Sequence, residues 1–147
     1  MSSKETKGYE QLYVRAALAI TMLSAVADRF GWGPDTSWGN WENFLVYSRQ
    51  LTFYLPGFFQ EPAAVIATTL EIVLPLCLLA GFKTKLAAYA TGFLLLVFAL
   101  SMTFSIGFRS TLAYSVWVGS SAGFLLAVQQ HYTFSLDGYL ARNRRAG

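Results

Sequence analysis

Glu71 stands inside AAVIATTLEIVLPLCLLAGF, an otherwise uncharged run from Ala63 to Phe82. It lies nine positions past Pro62, so about 13 Å along a helix that rises about 1.5 Å per residue. A carboxylate that deep in an apolar run is costly. It must face other helices and find a donor there, or take up a proton. Its neighbours on the helix are Ala64, Ala67, Thr68 and Pro75, a small and polar stripe that suits close helix contact. Pro75 has no N–H, so the Glu71 carbonyl loses its ordinary partner at the same level. Two readings follow. Glu71 is a buried acid that hydrogen-bonds neighbouring helices and fixes their register, or it is a ligand contact or proton acceptor.

Other polar residues could join it. Thr21, Ser24 and Asp28 share a face of the preceding apolar segment, with Arg29 beside them. Asp28 and Arg29 could form a pair that snorkels toward headgroups. Alternatively Arg29 reaches inward to Glu71 across a depth gap of roughly 8 Å, within range of a long side chain and some helix tilt. Arg15 would have to reach further and is expected to snorkel or meet lipid phosphate. Arg109 is a further cation at the outer face. The expected site is therefore a polar pocket of Glu71, Asp28, Arg29, Arg109, Ser24 and Thr68, opening outward.

Several chemistries are absent from the chain. One cysteine, Cys77, excludes an internal disulfide and dithiol redox chemistry, and reads as a small core residue. A lone His131 makes a poor metal site. No Gly-rich phosphate loop, no G-x-S-x-G elbow and no pair of inward histidines for a haem occurs. No catalytic residue and no cofactor held by the chain alone is expected.

The elements that must position the polar residues follow from composition. Of 147 residues, 54% are hydrophobic and 13% charged, and mean hydropathy is +0.41. An average soluble domain carries about 25% charged residues, so the chain reads as a bilayer protein. Four stretches, about 12–32, 63–82, 86–108 and 111–130, are long enough to span. Lys4, Lys7 and Ala25-Val26-Ala27 give the first a signal-peptide look. Arg15 interrupts that pattern, and the segment is read as a retained span. Lys4, Lys7, Lys83, Lys85, Arg142, Arg144 and Arg145 fall on one side, and Arg29, Arg49 and Arg109 on the other. That excess places both termini in the cytoplasm, with residues 131–147 as a cytoplasmic tail. The net charge of +3 thus sets topology, and no nucleic-acid surface is implied. Trp32, Trp38, Trp41 and Trp117 fit the outer interface, and Tyr9, Tyr13, Tyr132 and Tyr139 the inner one.

The long outer loop contains WENFLVYSRQLTFYLPGFF, with Phe44, Tyr47, Leu51, Tyr54, Leu55 and Phe58 on one helical face. It predicts an amphipathic interfacial helix over about 41–55, either a cap that seals the bundle or a lid over a cavity. Gly119 and Gly123 form a GxxxG step for packing within the bundle or for a homo-oligomer. The fold expected is all-α: a single polytopic domain, a four-transmembrane-helix bundle with that interfacial helix in its first external loop.

Three motifs carry a resemblance. They are Ala27-Asp28-Arg29-Phe30-Gly31, then Glu71 followed by Gly81-Phe82-Lys83-Thr84-Lys85-Leu86-Ala87-Ala88, and finally Tyr114-Ser115-Val116. In this order and spacing, over roughly residues 12 to 130, the chain resembles the DoxX/DoxD-like family of small bacterial inner-membrane proteins. The resemblance implies a four-helix bundle, with Asp28, Arg29 and Glu71 at positions that recur in the family. It also implies a non-catalytic membrane subunit or partner of a redox enzyme, such as the small subunit of a thiosulfate:quinone oxidoreductase, with a quinone at a shared site. The alternative is a protein that binds or transports a small molecule or ion through the polar pocket around Glu71. Its expected partners are the lipid bilayer, such a redox subunit, or a second copy of itself.

Overall fold

A computed structural model describes residues 8–146, with side chains through Asn143. Lys4, Lys7 and the side chains of Arg144 and Arg145, which entered the topology count, lie outside the described residues. Among the described residues seven helices follow one another: α1 (Tyr9–Arg29), α2 (Trp41–Leu51), α3 (Gly57–Ala80), α4 (Thr84–Ile106), α5 (Phe108–Ala113), α6 (Val116–Ala127) and α7 (Leu136–Ala146). Among the described residues there is no strand.

Four helical legs form a ring. α1 packs on α3, α3 on α4, α4 on α5 and α6, and α6 back on α1. Two of these helices, α3 and α4, are long and apolar enough to cross a membrane. The expected first span, α1, carries Glu10, Arg15, Asp28 and Arg29, so its composition is not that of a simple span. The expected fourth span is not one helix. It breaks at Tyr114–Ser115, and Ser115 adopts the left-handed region with φ 55°. Of the four expected spans, two are long apolar helices, the first is a charged helix and the fourth is a broken leg.

α2 is also shorter than expected. Asn40 caps it, its Oδ1 accepting from Asn43 N–H at 2.9 Å. It ends at Leu51, because Pro56 already opens α3. Phe44 is buried and Leu51 half-buried, as the predicted face requires, but Tyr54 and Phe58 are exposed. Phe44 and Leu45 pack on Ala64 of α3, with Trp38 and Trp41 around them. Tyr54 Oη and Ser101 Oγ share a hydrogen bond of 2.8 Å, which pins the α2–α3 connection to α4.

The Lys83 end is the tightly held end. Arg15 is fully buried, which corrects the expectation that it snorkels or meets lipid phosphate. Its Nε donates to the Leu78 carbonyl at 2.7 Å and its Nη2 to Leu79 at 3.1 Å. Its Nη1 donates to the Thr133 carbonyl at 3.0 Å and to Phe134 at 3.3 Å. A cation thus satisfies the orphan carbonyls where α3 ends, the favourable end of that helix's dipole for positive charge. Gly81 closes α3 at φ 66°, with Phe82 N–H donating to the Cys77 carbonyl at 3.0 Å. A Cβ there would stand 2.4 Å from Ser135 Cβ and 2.7 Å from Arg15 Nη2. One turn on, Asp137 of α7 accepts from Lys83 N–H at 2.8 Å and from Thr84 N–H at 2.7 Å. It also accepts from Thr84 Oγ1 at 2.8 Å. An anion therefore caps the start of α4, the complementary dipole end. The tail is not loose here; the Asp137 carboxylate ties α7 to the α3–α4 turn.

Above that clamp lies the apolar core of Leu18, Met22, Leu74, Leu78, Ala88 and Leu126. α4 and α6 approach most closely at glycines. A Cβ on Gly123 would meet Gly92 Cα and N at 2.8 Å, and Ser120 Oγ donates to the Gly92 carbonyl at 2.7 Å. The GxxxG step is spent inside the chain, so a homo-oligomer would have to use another face. Gly123→Leu would force α4 and α6 apart. An overpacking loss of about 1–3 kcal/mol is expected, read as a lower denaturation midpoint in detergent.

A pH effect follows from the clamp. Burial pushes the Asp137 carboxyl up, but the Thr84 backbone and hydroxyl donors, the Lys83 N–H and the Arg15 charge outweigh it and hold it below its ordinary 3.8. A carboxyl held low in the folded state adds stability that is present above the unfolded value and is lost as pH falls through the folded one. Asp137→Asn, which keeps the shape without the charge, should therefore show a flatter stability profile than the parent chain from about pH 5 down to about pH 2. Thermal melts across that range measure it.

Candidate functional site

At the opposite end of α1, its last residue turns inward. Arg29 is 4% exposed and Glu71 3%. Arg29 Nη2 pairs with Glu71 Oε2, and Nη1 donates to Thr68 Oγ1 at 2.6 Å. Thr68 and Glu71 are three residues apart on α3 and so share one face. The guanidinium also lies over the Phe44 ring of α2, 4.2 Å from its centroid, a desolvated cation–π contact. One side chain thus joins α1, α2 and α3. Arg29 Nε remains buried without a partner.

The pair stands in the wall of a cavity of about 1090 Å³, large beside ordinary small-molecule pockets of about 300–1,000 Å³. The wall is mainly apolar. Leu18, Ala67, Leu95 and Phe98 line it from three legs, and Phe44 and Leu51 close it at the α2 end. Tyr47 and Tyr114 add two phenols. Burial, and then the neighbouring Tyr114, push the Tyr47 phenol up to about 12, so it keeps its proton and can donate at neutral pH.

The six residues expected at the site part company here. Arg29, Glu71 and Thr68 are bonded together. Asp28 is half-buried and lines the cavity, its Oδ1 accepting from Trp38 N–H at 3.2 Å. It holds the α1–α2 loop; the expected snorkelling partner of Asp28, Arg29, is engaged with Glu71. Ser24 lines the cavity from an exposed position on α1. Arg109 does not join them; it is exposed on α5 and absent from the cavity wall. Thr111, two residues on, is fully buried. Two residues turn a helix by about 200°, so the face that seats Thr111 sends Arg109 outward.

Phe44 and Tyr114 were not anticipated as site residues. Phe44 was legible as part of an apolar helical face, but not as the seat of a guanidinium. Tyr114 reaches the cavity because the fourth leg breaks beside it.

The DoxX family model matches residues 11–104, a stretch that runs from the first turn of α1 to the last turn of α4 and includes Arg29, Thr68 and Glu71. The chain belongs to the DoxX family. Neither the curated proteins nor the solved structures offer a match to this DoxX chain. The motif Tyr114-Ser115-Val116 lies beyond the matched stretch.

Energetically, the pair is a constraint before it is a source of stability. Two charges leave water, and their attraction roughly offsets that cost when geometry is good. Removing one partner strands the other. Arg29→Met alone is expected to lose about 3–5 kcal/mol, and the double variant Arg29→Met/Glu71→Leu to recover much of that loss. A double-mutant cycle by chemical denaturation in detergent reads this coupling. Additive losses would show that the two side chains do not depend on one another.

Proposed function

We propose that this DoxX protein is a four-helix membrane bundle that binds a small amphipathic molecule in the cavity beside Arg29 and Glu71. The observation that carries the proposal is the ion pair set in the wall of a large, mainly apolar cavity. Such sites typically bury the apolar body of a ligand and orient it with a few fixed polar groups.

The membrane setting is supported by exposed apolar side chains along the legs, among them Ile66, Val73, Leu76, Phe93, Phe104 and Val118. Soluble monomers seldom expose so continuous an apolar surface. In this reading α1 and the α5–α6 leg also span. The charges of α1 permit it because Arg15 bonds main-chain carbonyls and Arg29 is paired with Glu71 inside the protein. The Lys83 end, with Lys85 and Arg142, would face the cytoplasm by the excess of positive charge. A bacterial inner membrane is the setting that the family resemblance implies.

A quinone has the chemistry the cavity suits, with an apolar ring and tail and two carbonyl acceptors. Bound there, it would make the chain the membrane subunit of a redox enzyme, the role the resemblance implies. The partner would then carry the electron-transfer chemistry.

The test is to purify the chain in dodecyl maltoside, extract it with organic solvent and analyse the extract by mass spectrometry. One small molecule should be recovered at near-stoichiometric amount. Its recovery should fall by about tenfold in Ala67→Phe, which fills the cavity and keeps both members of the pair, while the variant still melts cooperatively. Glu71→Gln should also lower it. An extract holding only bulk lipid, in the proportions carried by an unrelated membrane protein, would overturn the binding reading. Recovery of a molecule other than a quinone would overturn the redox reading alone.

A further inference from the structure

Among the residues that line the cavity and lie exposed, six flank the seam between α1 and the fourth leg. Ala17, Thr21 and Ser24 belong to α1; Tyr114, Ser115 and Val118 belong to the fourth leg. The cavity therefore reaches the side of the bundle, between α1 and α6, as well as the α2 end. The residues on the α1 side are small, and the Thr21 hydroxyl is spent on its own helix, donating to the Ala17 carbonyl at 2.8 Å. This opening faces the surface that carries exposed Ile20, Val118 and Leu125, the surface a bilayer would cover.

Two sets of donors in the same wall lack acceptors. Arg29 Nε is buried without a partner. The first N–H groups of α6 have no partner inside their own helix, and Ser115 supplies no side-chain cap. Glu71, which holds the Arg29 guanidinium, and the start of α6 fall at similar depth by helix rise. Arg15 bonds the Leu78 carbonyl, and Glu71 is seven residues above Leu78, about 10 Å of helix rise. Gly119 sits beside Leu18, and counting from Arg15 through Leu18 to Val116 gives about 9 Å. At that depth a backbone break is tolerated where it faces a cavity holding partners for it.

The positive charge of Arg29 is already matched by Glu71. A second anion would be left unbalanced in a low-dielectric site, and a cation would find no free carboxylate. What the open donors lack is a neutral acceptor.

We propose that the ligand is an uncharged, carbonyl-bearing amphipath dissolved in the bilayer. It enters sideways between α1 and α6, seats its carbonyl oxygen between Arg29 and the start of α6, and leaves its chain in the gap lined by Thr21 and Val118. This rests on the binding reading above and narrows its ligand class and route.

The experiment measures saturable binding of radiolabelled methyl oleate to the full chain in dodecyl maltoside, a detergent without carbonyl groups. Unlabelled competitors are methyl oleate, oleylamine, which has the same chain with a cationic donor head, and methyl acetate, which has the same head in water-soluble form. Methyl oleate alone should displace the label. Thr21→Trp and Val118→Trp, both at exposed positions, should weaken binding by about tenfold or more. Phe104→Trp, exposed on α4 and outside the cavity wall, should leave it within about twofold. Displacement by oleylamine would overturn the acceptor chemistry. Displacement by methyl acetate, or unchanged binding in both tryptophan variants, would overturn the lateral route. No saturable binding of methyl oleate, with another small molecule still recovered by extraction, would overturn this proposal and leave the binding reading standing. No binding and no recovered molecule would overturn both.

Discussion

A guanidinium and a carboxylate that face each other inside an apolar chain set the terms for everything around them. Arg29 and Glu71 are each almost completely buried, and neither charge can be left alone there. Their meeting fixes how far α1 slides along α3. It also calls for more than the pair itself. The guanidinium has a second donor, which Thr68 takes, and a flat face, which Phe44 covers. The position of α2 over the end of the ring follows, because Phe44 reaches Arg29 only if α2 lies across α1 and α3.

The other end of α1 is held by a different use of the same residue type. Arg15 meets backbone carbonyls from the ends of two segments, and Asp137 meets the N–H groups that open the next helix. Cation and anion stand on complementary helix ends across one turn, so the α3–α4 turn, α1 and α7 are locked as a unit. Close glycine packing of α4 on α6 adds to it. With this half close-packed, the half beyond it can carry a cavity without loss of the overall arrangement. Close packing and cavity are separated along the helix axis: backbone capping and small-residue packing below, paired charges and apolar walls above.

How much of this was legible depended on what each residue needed. Glu71 announced its partner, because a carboxylate in an apolar run requires a donor, and Arg29 was the cation whose reach could close the gap. The helical order and the apolar face containing Phe44 were legible from spacing. Arg15 was not, because its acceptors are main-chain carbonyls, and nothing in a sequence distinguishes the carbonyls of a helix end. Arg109 misled because nearness in the chain to an outer loop says nothing of which way a helix turns. The break at Tyr114–Ser115 carried no signal of the usual kind, since neither proline nor glycine stands there and Ser115 enters the left-handed region as an ordinary residue.

That break and the cavity are two sides of one constraint. A continuous fourth helix would satisfy its own backbone and present only side chains to α1. Interrupted at Ser115, the leg exposes the first N–H groups of α6 at the depth where Arg29 and Glu71 already require polar company. A helix end that opened on hydrocarbon would be penalised for each unpaired donor, whereas one that opens on a cavity can be satisfied by whatever the cavity admits. The interruption is therefore least costly where a polar pair stands across from it. By helix rise from Arg15 and Gly119, Glu71 and the start of α6 fall at similar depth.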